Sequence, residues 1–192
     1  MVRHGALKGV IWLMMLAALA GCSNLPTGPR DLLDEHTGAT VTVVGAPITF
    51  ARQPNGQSSQ DFLTLVAIQK DDAGRYADFL LLYSWSGFPG LVASSPEAAV
   101  ATLLIGIDGR SIELQPLQRL PAGLPDPKEL FVPDTTQAAM RAYACDLETM
   151  RLIAASHELT VRLPRQSPDG LYDVWRDGRP ALTQFIKHLG GP

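Results

Sequence analysis

Cys22 and Cys145 are the two cysteines of the chain, and a cysteine thiolate is among the best nucleophiles and metal ligands a side chain can offer. His157 follows Cys145 twelve residues on. Across a short helix the two could meet as a base-activated thiol, the arrangement of a thiol-dependent enzyme. The competing reading makes Cys145 a small hydrophobe in the core. Its flanks, Tyr143-Ala144 and Leu147, are apolar, and that reading is the better supported. A serine nucleophile on a strand-to-helix elbow needs Gly-x-Ser-x-Gly. The nearest text, Tyr83-Ser84-Trp85-Ser86-Gly87, lacks the first glycine and precedes no expected helix. Asp31, Asp34, Glu35 and His36 would cluster on one helical turn, as a solvated acidic cap rather than a metal site. Asp71 and Asp72 lack the further alternating acids of a calcium loop. Gly87, Gly90, Gly106 and Gly109 do not have the spacing of a phosphate-binding loop. No cofactor is therefore expected, and no catalytic residue is assigned.

Cys22 stands in a different context. Arg3, His4 and Lys8 precede an uncharged run over residues 10–20. That run is too short for a transmembrane helix, which needs roughly 20 apolar residues, and has the length of a signal-peptide h-region. It leads directly into Leu19-Ala20-Gly21-Cys22. These residues resemble the lipobox of bacterial lipoprotein precursors. The resemblance implies a diacylglyceryl thioether on Cys22, cleavage before it, and acylation of the new amino terminus. It divides the chain into a signal peptide over 1–21, a lipid anchor and tether over 22–36, and a single periplasmic domain over 37–192. Ser23, where an aspartate would favour inner-membrane retention in enterobacterial lipoproteins, implies the outer membrane, facing the periplasm. Two or more acyl chains anchor a protein stably where one does not. The covalent lipid on Cys22 leaves Cys145 without an intramolecular disulfide partner.

The elements that would position any site read as mainly β. The chain of 192 residues is 46% hydrophobic and 18% charged, the composition of one globular domain. Its net charge of −3 argues against a nucleic-acid partner. Thr40, Val41, Thr42 and Val43 alternate as a strand does. Residues 62–70 and 76–85 read as the two strongest strands, joined by Asp71-Asp72-Ala73-Gly74. Asp108-Gly109 between apolar alternations marks a two-residue hairpin. Residues 137–145 fit a strand or a helix, with the strand preferred, Asp146 caps a short helix to Ala155, and residues 171–175 form the last strand. Leu182, Phe185, Ile186 and Leu189 make an apolar stripe after Pro180. The expected fold is mainly β (α+β), an antiparallel sandwich or strongly bent sheet built of hairpins. About eight strands, a short helix near 146–155 and a C-terminal helix near 180–189 complete it.

Trp85, Phe88 and Leu91, in or beside the Pro/Gly-rich stretch after the central strand, are the candidate partner-binding residues, since exposed aromatics on loops serve as anchors. The competing reading folds them over one end of the sheet. The segments over residues 37–43, 48–52 and 177–182 are similar to small uncharacterised lipoproteins of proteobacteria, a resemblance that implies no activity. The expectation is an outer-membrane lipoprotein acting as a non-enzymatic binding or scaffolding module on an envelope protein partner. An envelope hydrolase or thiol-dependent enzyme using Cys145 and His157 is the alternative.

Overall fold

The computed structural model describes residues 28–35, 37–52, 61–86, 102–126, 129–131, 139–163 and 170–190. Ten strands lie in one sheet: β1 Arg30–Leu33, β2 Thr40–Val43, β3 Ile48–Arg52, β4 Asp61–Asp72, β5 Arg75–Ser86, β6 Leu103–Ile107, β7 Arg110–Leu114, β8 Ala139–Ala144, β9 Leu159–Arg162 and β10 Leu171–Arg176. Two helices, α1 Leu147–Ala155 and α2 Arg179–Leu189, complete the described elements. The mainly-β expectation holds, in its bent-sheet form.

Every pairing is antiparallel. The frame is the β4–β5 hairpin, paired from Asp61↔Ser86 to Asp72↔Arg75. Both its strands run to the turn, so Asp71 and Asp72 belong to β4 and not to the loop where the sequence reading put them. Only Ala73 and Gly74 turn, with φ of 54° and 83°, and Asp71 accepts the Gly74 N–H at 2.7 Å. β2 and β3 share one edge of β4, β2 along Ile68–Asp71 and β3 along Asp61–Leu65. From β3 the sheet continues through β10, β9 and β6 to β7. On the other side of β4 it continues through β5 to β8. The two ends meet: Pro116 bridges Tyr143, and the Leu117 N–H donates to the Ala142 carbonyl at 2.8 Å. The sheet thus curls into a nearly closed barrel.

Register sorts the side chains. Phe50, Leu63, Leu65, Leu80, Leu82, Tyr143, Val161, Ile105 and Tyr172 share the inner face and are almost wholly buried. The helices cover one end of this core. Asp146 caps α1, accepting the Thr149 N–H at 2.7 Å, as its type and position require. Met150 and Ile153 of α1, and Leu182, Phe185 and Ile186 of α2, are buried. Leu182 lines a small apolar gap together with Ile48, Leu65, Ala67 and Leu80.

Val41, Val43, Val66, Ile68, Leu81 and Tyr83 lie on the opposite face and are buried too. The segment after β7 crosses over them. Leu130 is 1% exposed, Lys70 Nζ donates to the Ala122 carbonyl at 2.9 Å, and the Arg30 guanidinium lies 4.7 Å from the Phe131 ring centre. A strand apolar on both faces, as Phe79-Leu80-Leu81-Leu82-Tyr83 is, requires such double cover.

One expectation fails here. The helical turn expected over 31–36 is not formed by its described residues 31–35: Arg30–Leu33 is strand β1, paired with β2 from Arg30↔Val43 to Leu33↔Thr40. Backbone bonding to β2 and the half-buried Leu32 outweigh the local polar composition. The sheet therefore begins at Arg30, inside the segment read as tether. Residues 53–60 and 87–101 lie outside the described residues.

Candidate functional site

Cys145 follows β8 at the rim of the core and is 4% exposed. Its Sγ donates weakly to the Asp146 carbonyl at 3.7 Å. Burial pushes its thiol up to about 12, and the carboxylates of Asp146 and Asp78 push the same way. A thiol so placed holds its proton and is a poor nucleophile. His157 is exposed beyond the end of α1. Its backbone N–H, with that of Glu158, donates to Asp108 Oδ1 at 2.9 and 2.8 Å. Those bonds, that of Glu158 foremost, hold the Asp108 carboxyl below its ordinary range. Ser84 sits within strand β5 and is buried, with no elbow around it. Asp31 accepts from Thr42 Oγ1 at 2.7 Å and meets His188 Nε2 at 3.1 Å. It thereby ties β1 to the end of α2. Among the described residues no three His, Cys, Asp or Glu side chains cluster as metal ligands would.

Trp85 is partly buried at the end of β5. Its ring stacks on Phe62 with centroids 4.2 Å apart, and its Nε1–H donates to Thr64 Oγ1 at 3.1 Å. Phe88 and Leu91 lie outside the described residues. Among the described residues two aromatics are largely exposed, Tyr76 at 66% on β5 and Trp175 at 62% on β10. Trp175 meets Phe62 edge-on, centroids 6.2 Å apart and planes at 72°. The β10–β3 register slips between Val174 and Arg176, which makes Trp175 the extra residue of a bulge. Alternation from the inward-facing Tyr172 and Val174 already sets Trp175 on the outer face, and the slip brings Arg176 to that face as well.

The outer face of β9, β6 and β7, with Leu171 of β10 at its rim, carries a groove of about 330 Å³ that Trp175, turned toward Phe62, does not line. Register sets its floor: Ser111↔Gly106 and Gly106↔Thr160 stand in one row, which Thr160↔Asp173 continues onto β10. A Cβ at Gly106 would crowd Thr160 Oγ1, which would have to turn aside. Leu104, Arg162 and Leu171 line one side, and Asp108, Glu158 and Arg110 close the end. Arg110 and Arg162 enter no ion pair among the described residues.

The end of the groove is held rigidly. Arg179 grips Asp177 with Nε at 2.9 Å and Nη2 at 2.7 Å, and its Nη1 donates to the Ser156 carbonyl at 2.6 Å. The start of α2 is thus tied to the end of α1 next to His157 and Glu158. Chemically the face offers three carboxylates (Asp108, Glu158 and Asp173), two guanidinium groups and two hydroxyls, of which that of Thr160 is half-buried and the others exposed. That arrangement can bind, and it holds no activated nucleophile. Sequence reading found Trp85 but missed Trp175 and the groove. Alternation assigns residues to faces, whereas the row from Ser111 to Asp173 exists only once four strands are in register. No family model matches the chain, and neither the curated proteins nor the solved structures compared with it provide a match.

Proposed function

We propose that this chain is an outer-membrane lipoprotein, anchored through acyl chains on Cys22 and facing the periplasm, that works as a non-enzymatic binding module. The outer face of β10, β9 and β6, with Trp175 at its edge, is its recognition surface. The observation that carries the binding role is the exposed indole on a bulged strand, backed by the Phe62–Trp85 stack. Exposing so large an apolar ring forgoes the free energy its burial would contribute. The buried, protonated thiol of Cys145 supports binding over thiol chemistry. The anchoring role rests on the charged start, the short apolar run and Leu19-Ala20-Gly21-Cys22.

Metabolic labelling with a palmitate analogue tests the anchor. Wild-type protein should take up label and fractionate with outer membranes. Cys22→Ala should take up none and accumulate at precursor length. Label retained by Cys22→Ala would refute the assignment.

A further inference from the structure

We propose that β7 is a self-association edge: the β7 strands of two copies of this chain pair antiparallel about a two-fold axis through Ile112, continuing the sheet from one molecule into the other. This goes beyond the binding role proposed above and does not depend on it, since β9 and β6 separate β7 from β10 and Trp175.

β7 ends the run of strands β10, β9, β6 and β7, and pairs with β6 alone among the described strands. The two-residue turn Asp108-Gly109 makes Ile107↔Arg110 a pair that exchanges both backbone bonds. By alternation Ile105↔Ile112 and Leu103↔Leu114 do the same. The N–H and C=O of Arg110, Ile112 and Leu114 are therefore engaged by β6. Those of Ser111 and Glu113 point away from it, and neither has a backbone partner among the described residues. Both residues are exposed. Water satisfies these groups in a single molecule, and an added extended strand satisfies them at the spacing they already have.

Such an edge is usually blunted by a proline, a bulge or a covering segment. At β1, which ends the strand order on the other side, the Arg30 guanidinium reaches the Glu129 carbonyl and the Phe131 ring, and Asp31 is tied to His188 of α2. β7 holds no proline and pairs with β6 without a slip.

The residues of β7 favour a second copy as the added strand. The free groups belong to the two residues that flank Ile112, so the strand is its own complement. With the axis through Ile112, Ser111 of each copy faces Glu113 of the other, and each of these pairs exchanges both backbone bonds. On one face the Ser111 hydroxyl can donate to the opposite carboxylate. On the other the half-buried Ile112 meets its counterpart, and Arg110 lies against Leu114. No like charges face each other. An axis through Glu113 would set two carboxylates opposite one another, which is destabilising. An axis through Ser111 would oppose Glu113 to Gly109, whose φ of 79° takes it out of the strand. Pairing so short a strand buries less than the ~800 Å² per partner of a standard interface, so the association is weak and is best trapped covalently.

Disulfide trapping in the full chain in detergent tests the proposal. With Cys22→Ala and Cys145→Ala in place, one introduced cysteine is the sole thiol. Across the two-fold axis the Cα atoms of the two Ile112 residues stand about 4.5 Å apart, within reach of a disulfide. Two copies of Ser111, or of Glu113, stand about 8 Å apart, beyond it. Under mild oxidation Ile112→Cys should link into dimers about fivefold faster or more than Ser111→Cys, Glu113→Cys or Lys187→Cys, the last a control for random collision on exposed α2. Ser111→Cys mixed with Glu113→Cys should give a mixed dimer. Ser111→Pro removes an N–H that β6 does not use, and should slow linking from Ile112→Cys about tenfold. Linking from Ile112→Cys no faster than from Lys187→Cys, fastest linking from Ser111→Cys or Glu113→Cys alone, or a rate indifferent to Ser111→Pro overturns the proposal.

Discussion

In the Cys22→Ala protein Cys145 is the sole thiol, and it should react with a thiolate-selective reagent far more slowly when native than when unfolded. An unperturbed cysteine titrates near 8.5, so at pH 8 about a quarter of unfolded chains carry the thiolate. With the native thiol raised to about 12, roughly one native molecule in ten thousand does. The ratio is about three orders of magnitude before the steric shielding of a 4%-exposed side chain is counted. Native and urea-unfolded rates measured under the same reagent give it directly. A native rate within about tenfold of the unfolded one would refute the placement of Cys145. A histidine-activated thiol would then be indicated if His157→Ala slowed the native rate. The same shift carries a stability consequence. Above pH 8.5 the unfolded thiol loses its proton while the native one keeps it, so the unfolded state binds fewer protons and stability falls as pH rises. From pH 7 to 9.5 that loss is about 1.4 kcal/mol, and Cys145→Ala should abolish this share of it.

Leu81→Ala should lower the unfolding free energy by ~2–5 kcal/mol, because Leu81 is fully buried on β5 between Val66 and Ala142. An unchanged urea midpoint would contradict that placement. Asp146→Ala should cost ~0.5–2 kcal/mol by removing the cap on Thr149, with Asp146→Asn restoring most of it in the same urea titration.

The features legible in the sequence are those decided locally. Asp108-Gly109 turns a hairpin with φ of 48° and 79°, because a two-residue loop demands left-handed backbone and that pair tolerates it. Asp146 begins a helix, and the stripe after Pro180 buries Leu182, Phe185 and Ile186. What was not legible depends on distant partners. Residues 31–36 read as helical by composition, yet β2 supplies the backbone bonds that make Arg30–Leu33 a strand. The closing contact of Pro116 with Tyr143 leaves no local mark in either segment. The binding surface was half visible for the same reason. Trp85 has the right type, but its ring is committed to Phe62 and Thr64. Trp175 takes the outer face by alternation from the inward Tyr172 and Val174, but the Phe62 ring that it meets comes from a strand two places away in the sheet.

Site-specific photocrosslinking in the native envelope tests the central claim most directly. A photoreactive residue at exposed Asp173, beside Trp175 on the outer face, is compared with one at exposed Lys187 on α2. The account predicts a discrete adduct with an envelope component from position 173, lost on Trp175→Ala, and none from position 187. An adduct from position 187 with none from position 173 would contradict it.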